Sequence, residues 1–523
     1  MSKQILFKEK GREKVKVGID TLANAVRPTL GAAGRNVMIK GRYGYPIISN
    51  DGKFIADQVQ LKDKFEDAGV SLLKQAADRT NDEAGDATTT TMVLGQAFIE
   101  AGAAAVAGGM NPNRVRRMMK AEADIVFEEL KGMAIKAEDR ETLVNVAAVS
   151  VENRELGEKL TDLVINVGKD GVVAVEESSD NEIVTEVIKG MRLARGYISK
   201  QYINNKAKSQ VEYEGVPVFV TSKVINNEAE LEPLINELAQ LGKNKLLVIA
   251  DDINPACIAG ALHNIALNQF RVIYMKAPHL NEKMRDVLED IAVVVGATCI
   301  TDEMVDDLKR VKVQALGAVS KLVMRKDSTD LIGGLGEGLK VDERVNELKI
   351  QRSEIESELE KLRIEERISK LSGGVSVVRV GAASESEMKY LKHKVDDAVS
   401  AVKSAMEEGI VPGGGSTLLR IAFKNKDRLP ILNVALGSPF TQILENAGHD
   451  HETRLTIVSS VLNGDTSFAN PGYDVLEDKL VEDMVASGIV DPVKCTRLAV
   501  ENAVSVAATY ITTDSFIVEE DEE

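Results

Sequence analysis

The sequence predicts a multidomain protein of α + α/β class, with helical segments on both sides of an inserted α/β region. Three observations carry this. The chain has 523 residues, more than the ~100–200 that one core usually serves, so about three domains are expected. Both ends read as Ala-rich amphipathic helix, whereas from Val172 the texture changes to short β-branched runs. Hydrophobic residues make up 44% but aromatics only 4%, with no Trp, which suits helix-rich cores packed on Ala, Val, Leu and Ile.

In chain order, the first hairpin is expected from Asn36–Lys40 and Pro46–Ser49 around the turn Gly41-Arg42-Tyr43-Gly44. The α/β region starts with strands at Val172–Val175, Val218–Thr221, Leu246–Ala250 and Val272–Met275, separated by helices such as Glu228–Gln240 and Met284–Val294. Val341–Leu371 is charged, with Val345, Leu348, Ile355, Leu359 and Leu362 at helical spacing. That pattern spans too few heptads for a free coiled coil and predicts a helical hairpin packed on its own domain. The run Gly333-Gly334-Leu335-Gly336-Glu337-Gly338 reads as a turn. A strand at Val375–Val380 then returns the chain to helix.

Composition narrows the function. A net charge of −17 argues against a sequence-independent grip on nucleic acid or anionic lipid. Cys257, Cys299 and Cys495 stand far apart, with no C-x-x-C pair, which points to a reducing compartment. The start is interrupted at once by charge, unlike a signal peptide, and the apolar run Leu429–Leu444 is short for a bilayer and broken by Pro430 and Pro439. The expectation is a soluble, cytoplasmic protein with neither nucleic acid nor membrane among its partners. His449-Asp450-His451-Glu452 lacks a third His or Cys nearby and reads as surface rather than metal site.

Three segments carry chemistry. Thr29-Leu30-Gly31-Ala32-Ala33-Gly34 can be a helix end followed by the hairpin. Gly85-Asp86-Ala87-Thr88-Thr89-Thr90-Thr91 precedes an apolar helix. Hydroxyls and free N–H groups at a helix N-terminus make an anion site, and a neighbouring carboxylate can hold Mg²⁺. One Asp and one Thr would suffice for a cap, so four poor helix formers in a row ask for more. Val411-Pro412-Gly413-Gly414-Gly415-Ser416 suggests close backbone approach to something flat or charged. None of these is a Walker A motif.

Together with Asp51-Gly52, Gly109-Met110-Asn111-Pro112, Arg195-Gly196-Tyr197, Lys276-Ala277-Pro278, Val395-Asp396-Asp397-Ala398 and Asp491-Pro492, these segments run in the same order as in one family. The chain resembles the bacterial-type (group I) chaperonins, the GroEL family, along nearly its whole length. The resemblance implies a chaperonin fold. A helical equatorial ATPase domain would span residues 1–132 and 408–523, a small α/β intermediate hinge domain 133–189 and 375–407, and an inserted α/β apical substrate-binding domain 190–374. It implies an ATP-dependent machine that captures non-native proteins and promotes their folding, as a homo-oligomeric ring of seven subunits that admits a co-chaperonin lid. ATP and Mg²⁺ would be its cofactors, with K⁺ a candidate second cation.

Carried over residue by residue, the resemblance puts Thr29, Leu30, Gly31, Ala32, Asn50, Asp86, Ala87, Thr88, Thr89, Thr90, Gly414, Asp474, Val475 and Asp491 at the nucleotide. Asp86 would hold Mg²⁺, Asp397 would polarise the attacking water with Asp51 in support, and Asp491 would accept from the ribose. Tyr197, Tyr202, Ile235, Ile258 and Leu262 would form the apolar groove for client proteins. Ala87 stands where the family has glycine, Asn50 where it has lysine, Ala32-Ala33 in place of Pro-Lys, and Asp474 in place of asparagine. Gln201, Glu232 and His263 make the groove more polar than the family's. If the family glycine needs φ > 0, Ala87 is strained. The apolar strands Ile5–Phe7 and Ser515–Val518 are expected to add to a neighbour's hairpin. The rival reading is a nucleotide-binding ring scaffold with reduced or specialised folding activity.

Overall fold

Alternation of apolar residues at helical spacing makes one core from five long helices: Lys8–Val26, Lys64–Ala84, Thr88–Ala107, Pro112–Met133 and Val493–Thr512. The computed structural model describes residues 3–40, 46–168, 172–178, 183–188, 190–206, 208–278, 284–336, 338–355, 358–372, 375–382, 384–463 and 468–519. Their starts follow from short polar side chains. Asp63 accepts the N–H groups of Phe65 and Glu66, and Asn111 those of Asn113 and Arg114 ahead of Pro112. The Thr88–Ala107 helix is long and apolar enough to cross a membrane by length and composition. Its apolarity is that of a core helix, since Met92, Leu94, Phe98 and Ile99 are buried among the other four.

The chain divides into two compact units. One comprises Met1–Val164, Val175–Ile183 and Arg379–Glu523, the other Ile165–Ala174 and Val184–Val378. The first unit holds the five-helix core. It also holds the Glu385–Glu408 helix, the strand pair Ile410–Pro412 with Val490–Pro492, and the hairpin Val37–Lys40 with Pro46–Ser49. The hairpin forms as expected; its turn, Gly41–Gly44, lies outside the described residues. The terminal strands pair with each other, Lys3–Phe7 against Ser515–Glu519, with Ile5 opposite Ile517. Ile5, Phe7 and Ile517 remain exposed, as do Met38 and Ile48 of the hairpin.

One close approach fixes the crossing of the first two long helices. A Cβ on Gly18 would stand 1.7 Å from the Glu66 carbonyl oxygen, and one on Gly69 2.0 Å from that of Val15. Both obstacles are backbone, so neither can move aside. Gly18→Val is therefore expected to destabilise the protein by about 3 kcal/mol or more, read as a lowered Tm. An unchanged Tm would show that the two helices are not held in this contact.

The second unit is built on a six-stranded sheet. Its order is Gly190–Leu193, Thr329–Gly334, Gly317–Met324, Val211–Val220, Lys245–Ala250 and Arg271–Lys276. The last three strands run parallel, and Leu246–Ala250 are buried without alternation, as a strand covered on both faces should be. Glu228–Gln240 is broken into a 3₁₀ turn, Glu228–Glu230, and a helix, Glu232–Gln240, because Asn227 caps the first and Pro233 starts the second. Gly338–Glu354 and Glu358–Ser372 form the predicted helical hairpin. Val345, Leu348, Ile364 and Leu371 pack into the unit's core, and Arg344 and Arg367 both bind the buried Asp290. Gly333-Gly334 end the Thr329–Gly334 strand instead of opening a turn, with Gly333 at φ +66°.

Candidate functional site

Gly85 ends the Lys64–Ala84 helix in the left-handed region at φ +72°, and three residues later Thr88–Ala107 begins. The Glu385–Glu408 helix packs on this turn. A Cβ on Gly85 would stand 2.3 Å from Ser400 Cβ, and Ser404 Oγ donates to the Ala84 carbonyl at 3.3 Å. That docking brings Asp397, three residues before Ser400, to Asp86. Asp51 arrives from the loop after the hairpin, where its Oδ1 accepts the N–H of Lys53 at 2.8 Å and of Phe54 at 3.2 Å to cap a short helix. Asp491 arrives on the Val490–Pro492 strand, its carboxylate accepting backbone N–H groups of Gly414 and Gly415.

Four carboxylates thus face one half-buried basin. Burial pushes Asp397 well above the usual carboxylate range, and the charges of Asp86, Asp51 and Asp396 push the same way against Lys394. Asp86 is raised by burial and by Asp51, opposed by the Ala87 N–H and Lys394. Burial, then Asp86, lifts Asp491 to about 7. Such crowding favours a cation.

The basin's other wall is the N-terminus of Thr88–Ala107. No side chain caps it, because Ala87 occupies the capping position, leaving first-turn N–H groups for an anion. Thr91 turns inward, its hydroxyl within hydrogen-bond distance of the Ala87 carbonyl and of Thr80 Oγ1, while Thr89 and Thr90 stay half-buried. Gly52 has no room for a Cβ, which would lie 2.0 Å from Thr89 Oγ1. Among the described residues no three His, Cys, Asp or Glu side chains are grouped as a ready-made metal site. These groups fit a divalent cation shared with phosphate oxygens, the way Mg²⁺ is commonly held.

Ala87 has φ +67° and ψ 20°, the left-handed conformation expected of the glycine it replaces. The strained conformation is already adopted, so its cost of about 1 kcal/mol falls on folding. Ala87→Gly is expected to raise the Tm of the nucleotide-free protein; a lowered or unchanged Tm would contradict this. Thr29 ends a 3₁₀ turn with its hydroxyl donating to the Val26 carbonyl, and Asn446 Nδ2 pins the carbonyls of Arg27 and Leu30. Gly31 and Ala32 are exposed beyond it. Of the three adjacent glycines, Gly413 closely approaches the Val490 backbone and Gly415 that of Phe440. Only Gly414, at φ +64°, has open space, with Met484 Cε 3.5 Å away its one near neighbour. Gly413 and Gly415 therefore make their close approach to this chain's own backbone. Asp474 caps Leu476 and Glu477, and Val475 packs against the cluster of Leu419, Phe440 and Leu444. His449 lies 3.3 Å from Asp478 and edge-on to Tyr473, and Asp450 caps the next helix through the Thr453 N–H.

In the second unit Tyr197, Ile235, Ile258 and Leu262 are half-buried, the latter three on the helices Glu232–Gln240 and Pro255–Ala266. Tyr202 is a correction: at 1% exposure its ring fills the core under the sheet and is not on a rim. Gln201, Glu232 and His263 are exposed. Sequence reasoning missed Tyr390, His393 and Lys394. Their i, i+3, i+4 spacing ahead of Asp397 was the available signal, since it places all four on one helix face.

The profile of the TCP-1/cpn60 chaperonin family matches residues 22–521. Two crystal forms of the chaperonin gp146 from the bacteriophage EL 2 (Pseudomonas aeruginosa), obtained in the presence of ATP-BeFx, share the fold. They show TM-scores of 0.66 and 0.62 at 20% and 19% identity, each comparison covering 99% of both chains. Matched over nearly its whole length, the chain belongs to the TCP-1/cpn60 chaperonin family, the ring-forming ATPases that capture non-native proteins and promote their folding.

Proposed function

We propose that the acidic basin is where this chaperonin binds and hydrolyses ATP, and that the carrying observation is the meeting of Asp51, Asp86, Asp397 and Asp491 at an uncapped helix N-terminus. In this reading Thr88, Thr89 and Thr90 donate to phosphate oxygens, with Ala87 shaping the turn. Thr29, Leu30, Gly31, Ala32 and Asn50 border the phosphates, and Gly414, Asp474, Val475 and Asp491 take the base and ribose. Bound Mg²⁺ supplies positive charge at the phosphates, with Asp86 as its protein ligand; K⁺ is a second candidate cation. Asp397 holds and accepts a proton from water, and Asp51 supports it. Phosphoryl transfer needs little more from a protein than positioned water and neutralised charge.

The finer organisation follows from the same reading. The domains would be equatorial, 1–132 with 408–523, intermediate, 133–189 with 375–407, and apical, 190–374. The subtype would be group I, with seven subunits, cytoplasmic, and open to a lid partner. The exposed apolar strands of the two termini would join the hairpin of a neighbouring subunit. Tyr197, Ile235, Ile258 and Leu262 would meet client chains, and the exposed Gln201, Glu232 and His263 would narrow the range of clients. A refolding assay with an aggregation-prone client tests the whole: recovery that requires ATP is expected. ATP hydrolysis without any client recovery would favour the scaffold reading.

A further inference from the structure

The Glu385–Glu408 helix brings Tyr390, His393, Lys394 and Asp397 to one face, and the first two meet the loop that carries Asp51. Asn50 Nδ2 donates to Tyr390 Oη at 3.4 Å. His393 Nδ1 lies 3.5 Å from Asp51 Oδ2, and its ring rests on Phe54 with centroids 5.9 Å apart. Lys394 binds Glu152, covers the Tyr390 ring at 5.6 Å, and acts on Asp86 and Asp397 through its charge. Asp51 divides its carboxylate between two tasks. Oδ1 is committed to the N–H groups of Lys53 and Phe54, which leaves Oδ2 for His393.

We propose that His393 is a positioning residue for ATP hydrolysis, a clamp that holds Asp51 from the same helix that presents Asp397 one turn later. The proposal rests on reading Asp397 and Asp51 as the hydrolytic carboxylates. His393 touches no reacting atom in this arrangement; it acts through Asp51. A ring that can donate N–H to Oδ2 while lying on Phe54 fixes both the rotation of the Asp51 carboxylate and the distance between loop and helix. Among the described residues, loss of that contact leaves the long Tyr390–Asn50 hydrogen bond between this turn of helix and the Asp51 loop, and small misplacement of a catalytic group is enough to slow chemistry.

The test is steady-state ATPase kinetics of the full-length oligomer carrying His393→Ala, His393→Asn or Asp397→Ala. His393→Ala is expected to lower kcat about tenfold with KM for ATP changed less than about twofold. His393→Asn, whose amide Nδ2 takes the place of the ring Nδ1 that faces Asp51, should restore most of the loss. If Asp397→Ala slows turnover while His393→Ala does not, the clamp is wrong and the assignment of the site stands. Full turnover in Asp397→Ala would instead sink the assignment itself. Equal damage from Ala and Asn, or a KM rising in step with falling kcat, would also overturn the clamp, since a general weakening of the fold behaves that way.

Discussion

Asp397→Ala is expected to slow ATP turnover about ten- to a thousandfold, the range for loss of a positioned base, while ATP binding is kept or slightly tightened. The direction of the binding effect follows from the basin. Asp397 is one of four crowded carboxylates, and each raises the cost of bringing a polyanion alongside. Removing one relieves repulsion without touching the helix N-terminus or the Thr88–Thr90 hydroxyls. The rate effect follows from the carboxyl's environment. Burial, and then the charges of Asp86, Asp51 and Asp396, disfavour its charged form, and positive charge entering beside it favours that form. Metal-bound nucleotide brings that charge, which ties the base to the loaded state. Single-turnover hydrolysis together with nucleotide titration separates the two effects; normal turnover would remove Asp397 from the mechanism.

Asp491→Asn is expected to make the nucleotide-free protein more stable near neutral pH and above, yet weaker in ATP binding. With its carboxyl raised from 3.8 to about 7, the folded state holds a proton that the unfolded chain releases. Folded protein therefore binds more protons between those values, and stability falls as pH rises from about 4 to about 7, then stays lost. Allowing for partial exposure, the effect is on the order of 2 kcal/mol. Asparagine can still accept from the Gly414 and Gly415 N–H groups but carries no charge to be buried. Its Tm advantage over the natural protein should be smallest at about pH 4, grow as pH rises, and be largest at about pH 8. A difference independent of pH would contradict the account. Stability gained where binding is lost is the usual mark of a residue kept for function.

The helical flanks, the hairpin, the parallel strands and the helical hairpin of the second unit were legible because each rests on local periodicity and turn chemistry. The threonine loop was legible for a similar reason, since four poor helix formers at a helix start need a cause outside the helix. Asp397 was not. A carboxylate on an amphipathic helix looks solvated, and only the docking of Ser400 and Ser404 on the Ala84–Gly85 turn puts it in the basin. The His393–Asp51 contact spans 342 positions of sequence, between a helix and a loop whose pairing no periodicity announces. Tyr202 was carried over from the resemblance as a groove residue, but its ring turns under the sheet. Two of the three glycines near Gly414 proved to serve chain crossings, which a sequence cannot tell apart from ligand contacts.

The most direct test is the structure of the Asp397→Ala ring prepared with ATP and Mg²⁺, where slow turnover should trap the nucleotide. The account predicts phosphate oxygens against Thr88–Thr90 at the start of the Thr88–Ala107 helix, the metal on Asp86, and the ribose beside Asp491. Nucleotide bound elsewhere, or a metal that does not touch Asp86, would contradict it.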